Sequence, residues 1–211
     1  MKIAVINEFS ACDKNKAIIE ALESCDNSAN TIINAGMKQT AGEPELTYVD
    51  TGFLAALLLN SKRADFVVGG CGTGQGFMIA AMQYPGVFCG LVDNELDAWL
   101  FAKINGGNCI SLALNKGYGW AGDINLKFIF ERFMSTEIGS GYPPHRVEIQ
   151  QKSRKLLTDI SKSTHHDFAD IIEKLDKAMV DRVLSFPGVK EILDIDTLED
   201  AALKKVLGLR L

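Results

Sequence analysis

The stretch DFVVGGCGTGQGFMIAA, residues 65–81, decides how the rest of the chain is read. Its first half is a short apolar run, which predicts a strand over Phe66–Val68, and its second half predicts a helix over Gly76–Met82. In an open α/β sheet such a strand-to-helix turn lies at the carboxyl end of the strands, where ligands bind. Gly70, Gly72, Gly74 and Gly76 let the backbone turn tightly and come close to a ligand. The amides that open the helix form a nest suited to an anionic oxygen. Cys71 and Thr73 are the reactive side chains inside it.

Working outward, the first 115 residues alternate between strand and helix signals. Lys2–Ile6, Asn30–Ile33, Val87–Val92 and Cys109–Leu112 read as further strands. Helical spacing runs over Asp13–Leu22 and Asn94–Lys103, and Asp50 or Thr51 can cap a helix through Phe53–Leu59. The run Ala35–Glu45, rich in Gly, Thr, Pro and charge, reads as a loop. Strands separated by helices of about ten residues imply βαβ crossovers and a parallel sheet covered on both faces. The expected fold class is therefore α/β, a three-layer α/β/α Rossmann-like parallel sheet over residues 1–150. After Trp120 only helices are expected: Leu126–Met134, Val147–Ile160, one amphipathic helix Asp167–Leu184 stopped by Pro187-Gly188, and a short one over Leu198–Val206. Residues 151–211 read as a helical C-terminal extension.

Composition narrows the function classes. The chain has 211 residues, 47% hydrophobic and 23% charged, which excludes a disordered chain and is long enough for a core without metals or disulfides. The net charge of −5 lacks the basic excess that a phosphate backbone demands, so no nucleic-acid partner is expected. The longest apolar run, Phe53–Leu59, is far short of a membrane span of about 20 residues. The start MKIAVINEFS meets Glu8 before any long apolar stretch, so no signal peptide is expected. Five cysteines without CxxC spacing point to reduced thiols in the cytoplasm and to no metal site.

Three readings of the glycine turn stand. It is a plain structural turn with Cys71 as a small buried residue, a dinucleotide loop, or an anion-holding catalytic turn. The dinucleotide reading is served by Asp93, about twenty residues on at a strand end, but GxGxxG fails: the sixth position is Gln75 from Gly70 and Phe77 from Gly72. No GK[ST] follows, which excludes a Walker loop.

The segment GCGTGQGFMIAA resembles the GCGTGxGxxIAA segment of the ribose-5-phosphate isomerase B and galactose-6-phosphate isomerase family. KIAV at the start, YPGV at 84–87, the pair Asn105…Asn108 and HRVE at 145–148 accompany it, from Met1 to about Gln151. The resemblance implies aldose–ketose isomerisation without metal or cofactor, on a sugar or sugar phosphate, in a homodimer or dimer of dimers with sites at the subunit interface. It implies Cys71 as the base, an assignment that fits the preference of a thiolate for a helix N-terminus. Thr73 and the amides of Gly72 to Gly76 would hold the developing oxyanion, and Glu8, Gly70, Asn105, His145 and Arg146 would bind substrate.

The chain departs from the family at several positions. The family's Asp-His pair after the first strand is Glu8-Phe9, its ring-opening histidine falls at Ile104, and one phosphate-binding arginine falls near Tyr142, leaving Arg146 with Lys116 as a displaced substitute. Weaker discrimination for phosphorylated sugars is expected. A binding relative without turnover and a nucleotide-binding α/β protein remain as alternatives. His145 reads as acid–base replacement or loop residue, and Tyr118 and Trp120 as sugar-stacking or core residues. The adjacent His165-His166 make a poor zinc pair, and Glu95 and Asp97 suit the first turn of a helix.

Overall fold

The computed structural model describes residues 1–25 and 30–210. Five parallel strands form one sheet: β1 (Lys2–Asn7), β2 (Thr31–Asn34), β3 (Phe66–Cys71), β4 (Cys89–Val92) and β5 (Cys109–Ala113), in the spatial order β2-β1-β3-β5-β4. Helices cover both faces, as the alternation predicted. Alternate residues of each strand serve opposite layers. Ile3, Val5 and Val68 meet α1 (Asn15–Cys25), α4 (Glu95–Leu100) and α5 (Gly122–Met134), and Ala4, Ile6 and Val67 meet α2 (Tyr48–Asn60) and α3 (Gln75–Ala81). β1 leads outward to β2, and the chain returns through α2 to β3 on the other side of β1. The carboxyl ends of β1 and β3 thus flank a topological switch point, with Asn7 paired to Gly70.

Helix α2 explains the extension. It is apolar all round, a pattern that requires burial on every side, and Asp50 to Leu58 are all buried. One side rests on the sheet and α3. The other is covered by α7 (Phe168–Lys174), α8 (Lys177–Leu184), α9 (Val189–Leu193) and α10 (Ala201–Gly208), whose buried side chains join the same cluster as Phe53 and Leu57. Phe168 and Tyr84 pack against Phe53 at ring-centroid distances of 6.2 and 5.8 Å. Each fully buried side chain of this size is worth roughly 1.5–3 kcal/mol. Helix α6 (Val147–Thr164) differs: no residue of it is buried. Among the described residues no helix is long and apolar enough to cross a membrane.

Several boundaries move. The cap of α2 is Thr47, not Asp50 or Thr51, and Asp50, the third residue of the helix, completes its capping box. Asn94 caps α4, but the expected helix to Lys103 ends in a π-helical turn over Phe101–Asn105. The single helix expected over Asp167–Leu184 is two: Leu175 is extended, and Asp176 accepts from the Met179 amide at 2.8 Å and caps α8. Between them and the last helix lies α9, which no sequence signal predicted.

Candidate active site

The glycine turn leaves β3 at the switch point. Cys71 ends the strand with its side chain in the α2–α3 layer, only 6% exposed, so it is not the surface-facing residue its loop position implies. Its Sγ lies 3.9 Å from the hydroxyl of Thr73. Gly74 has φ +74°, and a Cβ there would stand 2.5 Å from Leu91 Cδ1, so only glycine fits. Gly76 opens α3 against the ring of Tyr48.

Much of the turn's polarity is spent inside the protein. The Gly72 amide donates to Ser10 Oγ at 3.1 Å, the Gly74 amide to the Cys71 carbonyl at 3.2 Å, and the Gln75 amide to Thr73 Oγ1 at 3.4 Å. The Gly72 carbonyl accepts from the Asn115 and Lys116 amides at 3.0 and 2.8 Å. The expected row of free glycine amides therefore narrows, and Thr73 becomes the turn's candidate oxyanion donor.

Three polar residues that the sequence did not single out build this geometry. Ser10 donates through its hydroxyl to Glu8, which is 5% exposed, and through its amide to the same carboxylate at 3.0 Å. Ser111 on β5 donates to the Gly74 carbonyl. Asn115 donates through Nδ2 to the Ser10 carbonyl at 2.7 Å. The available signal was position: polar residues at or just past the carboxyl ends of strands line such sites.

The remaining candidates lie elsewhere. Asn105 and Arg146 line a separate cavity of about 690 Å³ between α6, the π-turn and the start of β4, together with Ile104, Gln150 and Arg154. No residue of the glycine turn lines it. Arg154 is committed to the Ile104 and Gly139 carbonyls at 3.1 and 2.7 Å, whereas Arg146 is exposed at the amino end of α6. His145 is exposed and lines neither group. One chain thus brings Glu8, Cys71, Thr73 and the glycines together, and Asn105 and Arg146 together, but not the two sets.

Other readings resolve on geometry. Asp93 pairs with Lys116 at 3.6 Å, so Lys116 faces a carboxylate. Glu95 and Asp97 lie in the first turn of α4, as expected. Trp120 is fully exposed, while Tyr118 packs on Gly122 with the Lys14 ammonium 5.2 Å from its ring centroid. Burial pushes the Cys12 and Cys109 thiols up, with the Asp13 charge adding at Cys12 and the neighbouring Cys89 at Cys109, so both stay protonated. No group of three or more His, Cys, Asp or Glu among the described residues is placed to hold a metal ion.

Comparison with known proteins agrees with the parallel α/β sheet. The family model for Ribose/Galactose Isomerase matches residues 3–151, and the chain belongs to that family. It is similar over 99% of its length to a 4-deoxy-L-threo-5-hexosulose-uronate ketol-isomerase complexed with a tartrate, at 38% identity, covering all of that chain with a TM-score of 0.93. It is similar over its whole length to a ribose-5-phosphate isomerase from Vibrio parahaemolyticus, at 35% identity, covering 99% of that chain with a TM-score of 0.94. A type B ribose 5-phosphate isomerase from Trypanosoma cruzi, at 19% identity and TM-score 0.65, shares the fold, with 77% of this chain covering 99% of that one. No curated protein matches. Family and full-length relatives place the protein among the sugar isomerases.

Proposed function

We propose that the protein interconverts an aldose and a ketose with Cys71 as base and Thr73 as oxyanion donor, and that its substrate carries at most a lightly held anionic group. The observation that carries this reading is the pairing of Cys71 and Thr73 at 3.9 Å in a turn fixed by Ser10, Ser111 and Asn115. The Cys71 thiolate takes the proton from the carbon beside the carbonyl, and charge passes to the carbonyl oxygen against the Thr73 amide and hydroxyl. The resulting thiol returns that proton to the former carbonyl carbon, while the proton of the adjacent hydroxyl passes to the oxyanion, so that the carbonyl moves by one carbon. Residues 1–150 carry this machinery and 151–211 support it, and the thiols suit a reducing cytoplasm.

Two copies complete the site on this reading. Arg146 and Asn105 would serve the partner's Cys71, since within one chain they line a different cavity. The faces available for pairing are apolar: Ile149, Leu156, Leu157 and Ile160 on α6, with Ile79 and Met82 at α3, are exposed. Such faces favour self-association.

The substrate's charge follows from the cations. Lys116 faces Asp93, Lys14 pairs with Asp13, and Arg154 is bound to carbonyls, so in the α6 cavity Arg146, the one arginine not so committed, is left for substrate with Lys155 beside it. A dianionic phosphate needs several charge-assisted bonds, while a sugar carboxylate is served by one arginine. One full-length relative is a uronate ketol-isomerase, which supports a sugar acid. A panel of ribose-5-phosphate, free pentoses and hexoses, and hexuronates, followed by NMR, tests it. Turnover of a uronate or free sugar above ribose-5-phosphate is expected. A strict requirement for a phosphorylated sugar refutes the charge argument, and no turnover of any sugar refutes the isomerase.

A further inference from the structure

Asp50 is an ionisable side chain with no solvent exposure, and the isomerase reading gives it no task. Its Oδ2 accepts from the amide and hydroxyl of Thr47 at 2.8 and 2.7 Å, and its Oδ1 from Nε and Nη2 of Arg182 at 3.0 and 2.7 Å. Every contact to Oδ2 fixes the first turn of α2, and every contact to Oδ1 comes from α8 in the extension. The hydrogen bonds to Asp50 in turn push the Arg182 guanidinium further up from its already high range.

That first turn touches both sides of the glycine site. The Leu46 carbonyl, just before the cap, accepts from the Phe9 amide at 2.9 Å and so holds the loop carrying Glu8 and Ser10. Tyr48 lies with its ring on Gly76, where a Cβ would meet it at 3.1 Å. One turn on, Gly52 rests so closely on α3 that a Cβ would stand 2.6 Å from Ala80 Cβ. Contacts this close transmit displacement rather than absorb it.

We propose that Arg182 is a positioning residue: by clamping Asp50 from the extension it sets the first turn of α2, and through Leu46 and Tyr48 the spacing between the Glu8–Ser10 loop and the Cys71 turn. The proposal rests on the isomerase reading for its kinetic consequence, but not for its geometric one.

The test compares Arg182→Met and Arg182→Lys with Arg63→Met. Arg63 also ties the extension down, through the Leu193 and Asp194 carbonyls at 2.7 and 2.8 Å, but at the far end from α2's first turn. Each variant is assayed well below its melting temperature for kcat, for KM, and for alkylation of Cys71 by iodoacetamide, read by mass spectrometry. Arg182→Met is expected to lower kcat about tenfold with KM within about twofold, and to raise the Cys71 alkylation rate severalfold. Arg182→Lys, which keeps one charged donor, should recover part of both, and Arg63→Met should lose melting temperature only. Arg182→Met matching Arg63→Met in kcat and alkylation overturns the proposal. Alkylation needs no substrate. Altered alkylation in a protein that turns over no sugar supports the clamp and refutes the isomerase.

Discussion

The glycine turn and the Arg146 cavity are held in different ways. Around Cys71 nearly every polar atom is tied to another element: Ser10 to Glu8 and Gly72, Ser111 to Gly74, Asn115 to Ser10. Around Arg146 the wall is α6, a helix with no buried residue, and the arginine itself is exposed. The contrast separates two tasks. On the proposed function, proton transfer and oxyanion support, which tolerate little displacement, would sit on the cross-braced carboxyl end of the central strand. Recognition of the substrate's far end would be left to a side chain that can be exchanged without disturbing the core. Chemistry shared by a family is expected in the first region, and differences in substrate charge in the second.

Substitutions in the two regions should therefore separate kcat from KM. The largest effect belongs to the braced side. Cys71→Ala should slow isomerisation by about 10³-fold or more, within the range for losing a general base, with a loss of about 2–4 °C in melting temperature for each kcal/mol that the small cavity at this buried position costs. NMR of substrate proton exchange in D₂O reads it. Normal exchange in that variant would break the comparison at its root. Arg146→Ala comes next: KM should rise about 10- to 100-fold with kcat nearly unchanged, as expected for losing one charged contact. A fall in kcat instead would put Arg146 among the groups that act in the transition state.

Ser10→Ala sharpens the contrast. It removes a hydroxyl bridge between Glu8 and the Gly72 amide, and should cost about tenfold in kcat with KM within about twofold. The smallest effect is in the support beneath the braced turn. Burial, with the Asp50 charge adding, pushes the Tyr84 phenol up to about 12 from its ordinary 10. Its folded form holds the proton more tightly than its unfolded form, so the stability is full below pH 10 and declines as pH rises towards 12. The slope is about 1.4 kcal/mol per pH unit. Urea titrations should show Tyr84→Phe without that share of the alkaline loss.

The braced turn was more legible in sequence than the parts that brace it. Strand, glycines and helix follow one another within residues 65–81, so local rules suffice to place Cys71 and Thr73. The bonds of Ser10 to Gly72 and Ser111 to Gly74 join residues far apart in the chain, and only the strand order brings them together. The separation of Arg146 from Cys71 was hidden for the same reason. The break at Leu175–Asp176 was masked because Phe168, Ile172, Met179 and Val183 remain buried on one side across it. The aspartate cap was its one local sign. The exposure of α6 was unreadable from its amphipathic pattern, which marks an apolar stripe but not what covers it.

The central claim is that chemistry and recognition meet across two copies of the chain, and subunit complementation tests it most directly. Cys71→Ala and Arg146→Ala chains are mixed, unfolded and refolded together, then assayed at low substrate, where each parent alone is nearly silent. If the site joins one copy's Cys71 to the other's Arg146, half of the dimers carry one intact site. The mixture should then recover about a quarter of the wild-type rate. A mixture no more active than the average of its two parents would contradict the account.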